Sequence, residues 1–296
     1  MADDFDKIRR GNCTLYIHKN FRNEELEEAL TAGKEKLQQL YKPTAVESSK
    51  FARVYQFTAK LNNTERTVYF KQYLSRSAID LIKHLLRPSR ARRAFNATQM
   101  LKENGFEAPA IIAMGERKSG FFNTDNFLLT LEVENGKRIY EIIPNSVSNL
   151  TVEQLRDKRE WLRVLGHTVG RMHKGGIFHG DMRLGNVLGR KNKDGRQLFF
   201  LDNERTKKFR RLPFRLRVRN LVQLNMYRTK AVTDSDRMRF FKEYRAENKN
   251  SKNGEIRLIK KVVKITNRRL EKKCKKLGLI GFVLGLIGFV LGLNWL

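Results

Sequence analysis

The sequence predicts an α+β chain: a small β-rich N-lobe, a larger helical C-lobe and an apolar helix at the C-terminus. Three observations carry this. Residues 51–61 (FARVYQFTAKL) and 66–74 (RTVYFKQYL) alternate apolar and polar side chains on either side of NNTE, which reads as a β-hairpin. Residues 151–176 place apolar side chains at 155, 162, 165, 169 and 172, the spacing of a helix face. Residues 277–296 carry no charge at all.

Taken in order, residues 1–43 form an N-terminal extension. It begins MADDFDKIRR, acidic and without an apolar run, so no signal peptide is expected. Residues 44–134 form the N-lobe. After the hairpin, a helix is expected over roughly 76–104, stopped by Gly105 with Pro109 beyond it. APAIIAMGER and NFLLTLEVENG read as two further strands, and this unit of strands and one helix closes near residue 134. Residues 135–259 form the C-lobe. Its long helix ends at Gly175–Gly176, a fitting stop. NVLG and QLFFLD then make a short hairpin about Asp194–Gly195, and residues 216–247 look helical.

The last two segments differ in character. Residues 260–276 (KKVVKITNRRLEKKCKK) hold nine basic residues and one acid. The apolar stretch that follows would be about 30 Å long as a helix, the thickness of a bilayer's hydrocarbon core. Basic flanks stay on the cytoplasmic side. LGLIGFV occurs there twice in succession, and glycines at 278, 281, 285, 288 and 292 fall on one helix face. Their G-x-x-x-G spacing permits helix pairing in lipid.

Lysine and arginine number 61 against 31 acids, a net charge of +30 in 296 residues. That excess says nothing of fold but predicts attraction to polyanions: nucleic acid, phosphorylated glycans or an anionic membrane surface. Nucleic acid is not expected as a partner, because the basic residues lack interleaved aromatics and no recognition module is visible. Cys13 and Cys274 lie far apart, form no metal spacing and suit a reducing compartment.

Chemistry concentrates in HGDMRLGNVL, residues 179–188. Asp and Asn are poor formers of regular structure, and here they sit between a helix and an apolar strand. Asp181 is followed five residues later by Asn186, and the hairpin returns the chain to Asp202. Two carboxylates and an amide at one mouth are what phosphoryl transfer needs: one acid for the attacking hydroxyl, an amide oxygen and a second acid for a magnesium ion on nucleotide phosphates. Arg183 is close enough in sequence to neutralise charge on the transferred group. Lys71 lies inside the apolar strand TVYFKQY and needs an anionic partner there.

HGDMRLGNVL with LFFLDNE resembles the H-x-D-x-x-x-x-N and D-x-x elements of the protein-kinase-like fold, over roughly residues 44–245. VYFKQY, RPSRARRA and RNLVQLN make the closer resemblance to the lipopolysaccharide kinase family, which phosphorylates core sugars such as 3-deoxy-D-manno-octulosonic acid or heptose. The resemblance implies a bilobal fold and an ATP- and Mg2+-dependent phosphotransferase at the cytoplasmic face of the inner membrane. It implies Asp181 as catalytic base, Asn186 and Asp202 as magnesium ligands, and Lys71 on the nucleotide phosphates. His179 would brace the catalytic loop, and Glu132 to Glu134 would lie in the hinge whose backbone meets adenine.

Two departures stand out. The glycine-rich phosphate loop is replaced by VESSKFARV, where Ser48 and Ser49 could offer donors. The helix after Lys71 should present a glutamate to that lysine, yet residues 84–102 contain none; Asn96 or another acid is left to substitute. The arginines at 87, 90, 92 and 93 read as surface charge, and His167 and His173 as packing or surface histidines. Arg210 to Arg219 (RRLPFRLRVR) lie near where a phosphorylated glycolipid acceptor should sit. The alternatives are a protein or small-molecule kinase of the same fold, and a non-catalytic, membrane-bound polyanion binder on that scaffold.

Overall fold

The computed structural model describes residues 4–74, 87–120, 122–143, 150–227, 232–248 and 251–276. The apolar segment 277–296, with its glycine face, lies outside the described residues, as does the first part of the expected 76–104 helix. Among the described residues no helix is long and apolar enough to cross a membrane.

Along the chain come strands β1 (Phe5–Arg10) and β2 (Cys13–His18), helices α1 (Glu24–Ala32) and α2 (Lys34–Tyr41), then strands β3 (Thr44–Val46), β4 (Ala52–Leu61) and β5 (Thr64–Tyr73). Helix α3 (Arg90–Glu103) precedes β6 (Ile111–Ser119), β7 (Phe122–Leu131) and β8 (Lys137–Arg138). Next are α4 (Ile139–Ile142), α5 (Val152–Lys174), β9 (Ile177–Phe178), β10 (Val187–Asn192), β11 (Gly195–Phe200) and β12 (Lys207–Lys208). Helices α6 (Phe214–Asn225), α7 (Asp234–Glu247) and α8 (Lys252–Lys276) complete it.

The residues fall into two compact units. The first comprises residues 1–138, 179–181 and 186–208; the second comprises 139–178, 182–185 and those from 209 onward. The first is built on an antiparallel sheet ordered β1-β2-β6-β7-β5-β4-β3. The residues expected only as an extension thus add two strands to it, with Cys13 opposite Arg117. The β4–β5 hairpin turns at Asn62–Asn63, whose φ values of 49° and 59° are those of the two-residue turn that asparagine tolerates. One sheet face packs Leu15, Ile17, Phe57, Val68, Phe70 and Leu129 against Leu26, Leu30 and Leu37 of α1 and α2. The other packs Tyr73, Met114 and Leu128 against Ala91, Ala94 and Phe95 of α3.

Alternation along β5 decides where Lys71 points. Val68 and Phe70 belong to the first face, so Lys71 and Tyr73 belong to the α3 face. β5 is no edge strand: Lys71 stands opposite Val54 on β4 and Leu128 on β7. A second small sheet, β11-β10-β8, belongs to the same unit.

The second unit is helical. α5 opens with a reciprocal cap between Thr151 and Gln154 and closes at Gly175–Gly176. Gly176 has a φ of 76°, and a Cβ there would stand 1.9 Å from the Phe209 carbonyl oxygen. The stretch 216–247, read as helical throughout, is two helices. α6 ends at Asn225, and Thr233 starts α7 with its own cap on Asp236. Lys158 on α5 and Asp236 on α7 form a fully buried ion pair, Nζ to Oδ2 at 2.7 Å.

Candidate active site

The site lies in the first unit, because residues 179–181 and 186–208 belong there with the sheet that carries Lys71. Its centre is His179, which is fully buried. The Asp181 backbone N–H donates to His179 Nδ1 at 3.2 Å, so that nitrogen carries no proton. The proton is therefore on Nε2, which donates to the Leu201 carbonyl and to Asn203 Oδ1, both at 3.1 Å. One imidazole thus joins the Asp181 loop to the residues either side of Asp202. Burial pushes its pKa down, which contacts with Leu201 and Asn203 and the nearby acids offset only in part, so the ring stays neutral in its bridging tautomer.

Asn186 makes the second link. Its Nδ2 donates to the Asp181 carbonyl at 2.9 Å, and its own carbonyl accepts from Leu201 N–H at 2.9 Å. Asp181, Asn186 and Asp202 are therefore held in one hydrogen-bonded network. Asn203 anchors it to the helix, with Nδ2 donating to Thr98 Oγ1 at 3.2 Å and to the Phe200 carbonyl at 3.0 Å. Gly180, between His179 and Asp181, lies against the 203–205 turn: a Cβ there would meet the Arg205 Cβ at 2.1 Å.

Asp202 has left-handed backbone angles, φ 58° and ψ 49°. Its Oδ1 accepts from Lys71 Nζ at 2.7 Å, with side chains 24% (Lys71) and 36% (Asp202) exposed. Burial alone would push the carboxyl up; the Lys71 ammonium, by charge and hydrogen bond, outweighs it and holds Asp202 below the usual carboxylate range, with Arg90 adding to the pull. Lys71 thus finds an acid partner on the turn after β11 rather than on the helix, and Asn96 is exposed.

The other expected residues are placed as follows. Ser48 Oγ donates to the Ala52 carbonyl at 2.9 Å and the Ser49 carbonyl accepts from Ala52 N–H at 3.0 Å, so both serines form a tight turn just before β4. Glu132 N–H bonds the Thr67 carbonyl, and its carboxylate accepts from Tyr69 OH at 3.3 Å. Glu134 pairs with Arg66 at the surface. Arg183 is exposed and belongs to the second unit. There, Met182 N–H donates to Gln223 Oε1 at 3.2 Å, so α6 holds the residue that follows Asp181.

Arg90 is not surface charge. It is buried, with Nε on Glu204 Oε2 at 2.7 Å; Arg92 likewise pairs with Glu116. His167 is the surface histidine expected, near Glu247, and His173 the buried one. Among the described residues no three His, Cys, Asp or Glu side chains form a metal cluster. The donors do suit magnesium: Asp202 supplies a carboxylate, Asn186 keeps its amide oxygen, and this ion takes one or two carboxylates plus substrate phosphates.

The model of the lipopolysaccharide kinase (Kdo/WaaP) family matches residues 36–244. KEOPS complex subunit Bud32 of Pyrococcus abyssi (strain GE5 / Orsay) is 26% identical over 117 residues, 40% of this chain and 44% of that protein. The chain thus spans less than half the length of that curated relative. A solved structure of WaaP in complex with acyl carrier protein matches with a TM-score of 0.59 at 19% identity, over 84% of this chain and 97% of that one. At that identity the likeness shows the fold.

Proposed function

From the premise that the chain belongs to the lipopolysaccharide kinase (Kdo/WaaP) family and has a kinase-like α+β fold, we propose that it transfers the γ-phosphoryl group of ATP to a sugar hydroxyl of the lipopolysaccharide inner core. The acceptor sugar is 3-deoxy-D-manno-octulosonic acid or heptose, and the reaction takes place at the cytoplasmic face of the inner membrane. The observation that carries this reading is the His179 bridge, which ties the Asp181 loop to the Asp202 turn.

In this reading Asp181 orients the acceptor hydroxyl and accepts its proton as the oxygen attacks the γ-phosphorus. The bond from that phosphorus to the bridging oxygen of ADP breaks as the new one forms. Asn186 and Asp202 would hold Mg2+, which when bound would supply charge neutralisation for the transferred group. Lys71 exchanges Asp202 for phosphate oxygens. Ser48 and Ser49 line the turn on the phosphate side, and the backbone at Glu132 to Glu134 faces adenine. Arg183 meets charge on the transferred group. His179 touches no reactant; it holds both acids in register. The exposed Arg210, Arg211, Arg215 and Arg219 and the basic face of α8 attract the anionic glycolipid and the membrane around it.

The test is transfer of radiolabel from ATP to isolated lipid A–core by the wild type and Asp181→Ala. Wild-type labelling that falls by about 10³-fold in the variant supports the reading. Equal labelling removes Asp181 from the chemistry, and no labelling of any glycolipid removes the acceptor class. Mg2+-dependent thermal stabilisation by ATP separates a catalyst from a scaffold that has lost its nucleotide.

A further inference from the structure

Lys71 and Asp202 pose a problem for each other. Once Lys71 meets phosphates, their mutual contact opens. Asp202 must then keep its left-handed backbone, an uncommon conformation for a residue with a Cβ, without the ammonium that it meets now. Helix α3 offers no acid to hold Lys71 meanwhile, since its one carboxylate is Glu103, its last residue.

What α3 presents instead is a base. Arg90, its first residue, donates from Nε to Glu204 Oε2 at 2.7 Å, with side chains 7% and 5% exposed. From Nη1 it donates to the Phe51 carbonyl at 2.6 Å and to the Leu74 carbonyl at 3.3 Å. Its Cζ lies 4.9 Å from the Tyr73 ring centroid, and Lys71 Nζ lies 5.2 Å from the same centroid. Four segments therefore meet on one guanidinium: the start of α3, the end of the Lys71 strand, the residue that follows the Ser48–Ser49 turn, and the Asp202–Asn203–Glu204 turn. Arginine suits this place because its planar fork serves several acceptors at fixed angles, which an ammonium does not.

We propose that Arg90 and Glu204 are the positioning pair of the phosphotransfer site. With the sign of charge reversed, they replace the helix glutamate that the fold resemblance leads one to expect. Glu204 is two residues from Asp202, so fixing Glu204 fixes the direction of the Asp202 carboxylate whether or not Lys71 is on it. The bonds to Phe51 and Leu74 hold the phosphate-side turn and the end of β5 to the same point. Neither side chain reaches the nucleotide; both act through Asp202 and the backbone. This rests on reading Lys71 and Asp202 as nucleotide-site residues.

The experiment is calorimetric titration of ATP binding over a range of Mg2+ concentrations, without acceptor, alongside thermal midpoints and turnover. The proteins are the wild type, Asp202→Ala, Glu204→Gln, Arg90→Lys and the reversal Arg90→Glu with Glu204→Arg. Glu204→Gln is expected to raise the Mg2+ needed for half-maximal ATP binding by about ten- to a hundredfold, the usual cost of losing a group that orients a metal ligand. Turnover should fall while the KM for acceptor stays, and the reversal should recover part of the Mg2+ dependence. Loss of thermal stability with unchanged Mg2+ dependence would mean the pair only supports the fold, and overturns the proposal. Where Glu204→Gln does not fold, Arg90→Lys decides, because it keeps the charge and loses the fork; Mg2+ dependence as in the wild type overturns the proposal there too. If Asp202→Ala binds Mg2+-ATP like the wild type, the underlying site reading has failed. If Asp202→Ala loses that dependence and Glu204→Gln keeps it, the pair alone has failed.

Discussion

Two lysine–aspartate pairs in this protein share a 2.7 Å separation and little else. Lys158 and Asp236, in the second unit, are each 2% exposed. Asp236 is also committed elsewhere: it accepts from Thr233 N–H at 3.2 Å and from Arg239 Nη1 at 3.0 Å. Lys71 and Asp202, in the first unit, are partly open to solvent, and Asp202 sits on a left-handed backbone. Burial pushes both carboxyls up, and the lysine together with neighbouring groups (Thr233 at Asp236, His179 and Arg90 at Asp202) more than offsets it, leaving each below the usual range. Distance and protonation thus fail to tell the pairs apart. What differs is whether a partner can be exchanged. The buried aspartate has its neighbours fixed around it, whereas the open one can trade an ammonium for a cation.

Alanine at each lysine separates the two pairs most. Lys158→Ala takes the buried cation from Asp236, leaving it Arg239 and Thr233, and should cost about 3 kcal/mol in urea unfolding. Lys71→Ala should cost below about 1 kcal/mol, as open pairs do, yet lower turnover by about 10²-fold. Equal stability losses would erase the distinction.

A smaller effect comes from His173, bonded through Nδ1 to Tyr244 OH at 3.0 Å and through Nε2 to Asn220 Oδ1 at 3.2 Å. Burial pushes its pKa from 6.5 down to about 3. Between those values the unfolded chain binds a proton that the folded chain does not. Stability conferred by the neutral ring is therefore complete above the unfolded value and falls with acid, by up to about 1.4 kcal/mol per pH unit. His173→Gln should flatten the stability profile between pH 6.5 and about 3; an unchanged slope would place the histidine's proton outside the folding balance.

The smallest effect is expected at Arg66 and Glu134, an exposed pair on unit one. Arg66→Ala should move the unfolding free energy by no more than about 0.5 kcal/mol, and a larger loss would make openness a poor guide to a pair's role.

The candidate site was legible because its residues are local: His179, Asp181 and Asn186 lie within eight residues, and Asp202 comes just after the β10–β11 hairpin that follows. The Asn62–Asn63 turn announced the hairpin, and the apolar spacing with Gly175–Gly176 announced α5, for the same reason. Long-range pairing hid the rest. Arg90 looked like surface charge because Glu204 is 114 positions away. β1, largely polar and exposed, gave no strand signal of its own, and β2 is a strand through its ladder with β6, about a hundred residues on. The break within 216–247 had a local sign, TDSD, whose threonine caps α7, but the apolar spacing on either side concealed it.

Gly180 carries a practical consequence. A single methyl group there must push the Asp181 loop off the turn after Asp202, since no rotamer change can move a Cβ out of the way of the Arg205 backbone. Gly180→Ala should therefore lower turnover without deleting one charged side chain of the candidate site. A cell carrying that allele would keep the protein's cationic surfaces and lose its turnover, so whatever survived in it would depend on the presence of this polypeptide and whatever vanished would depend on its product.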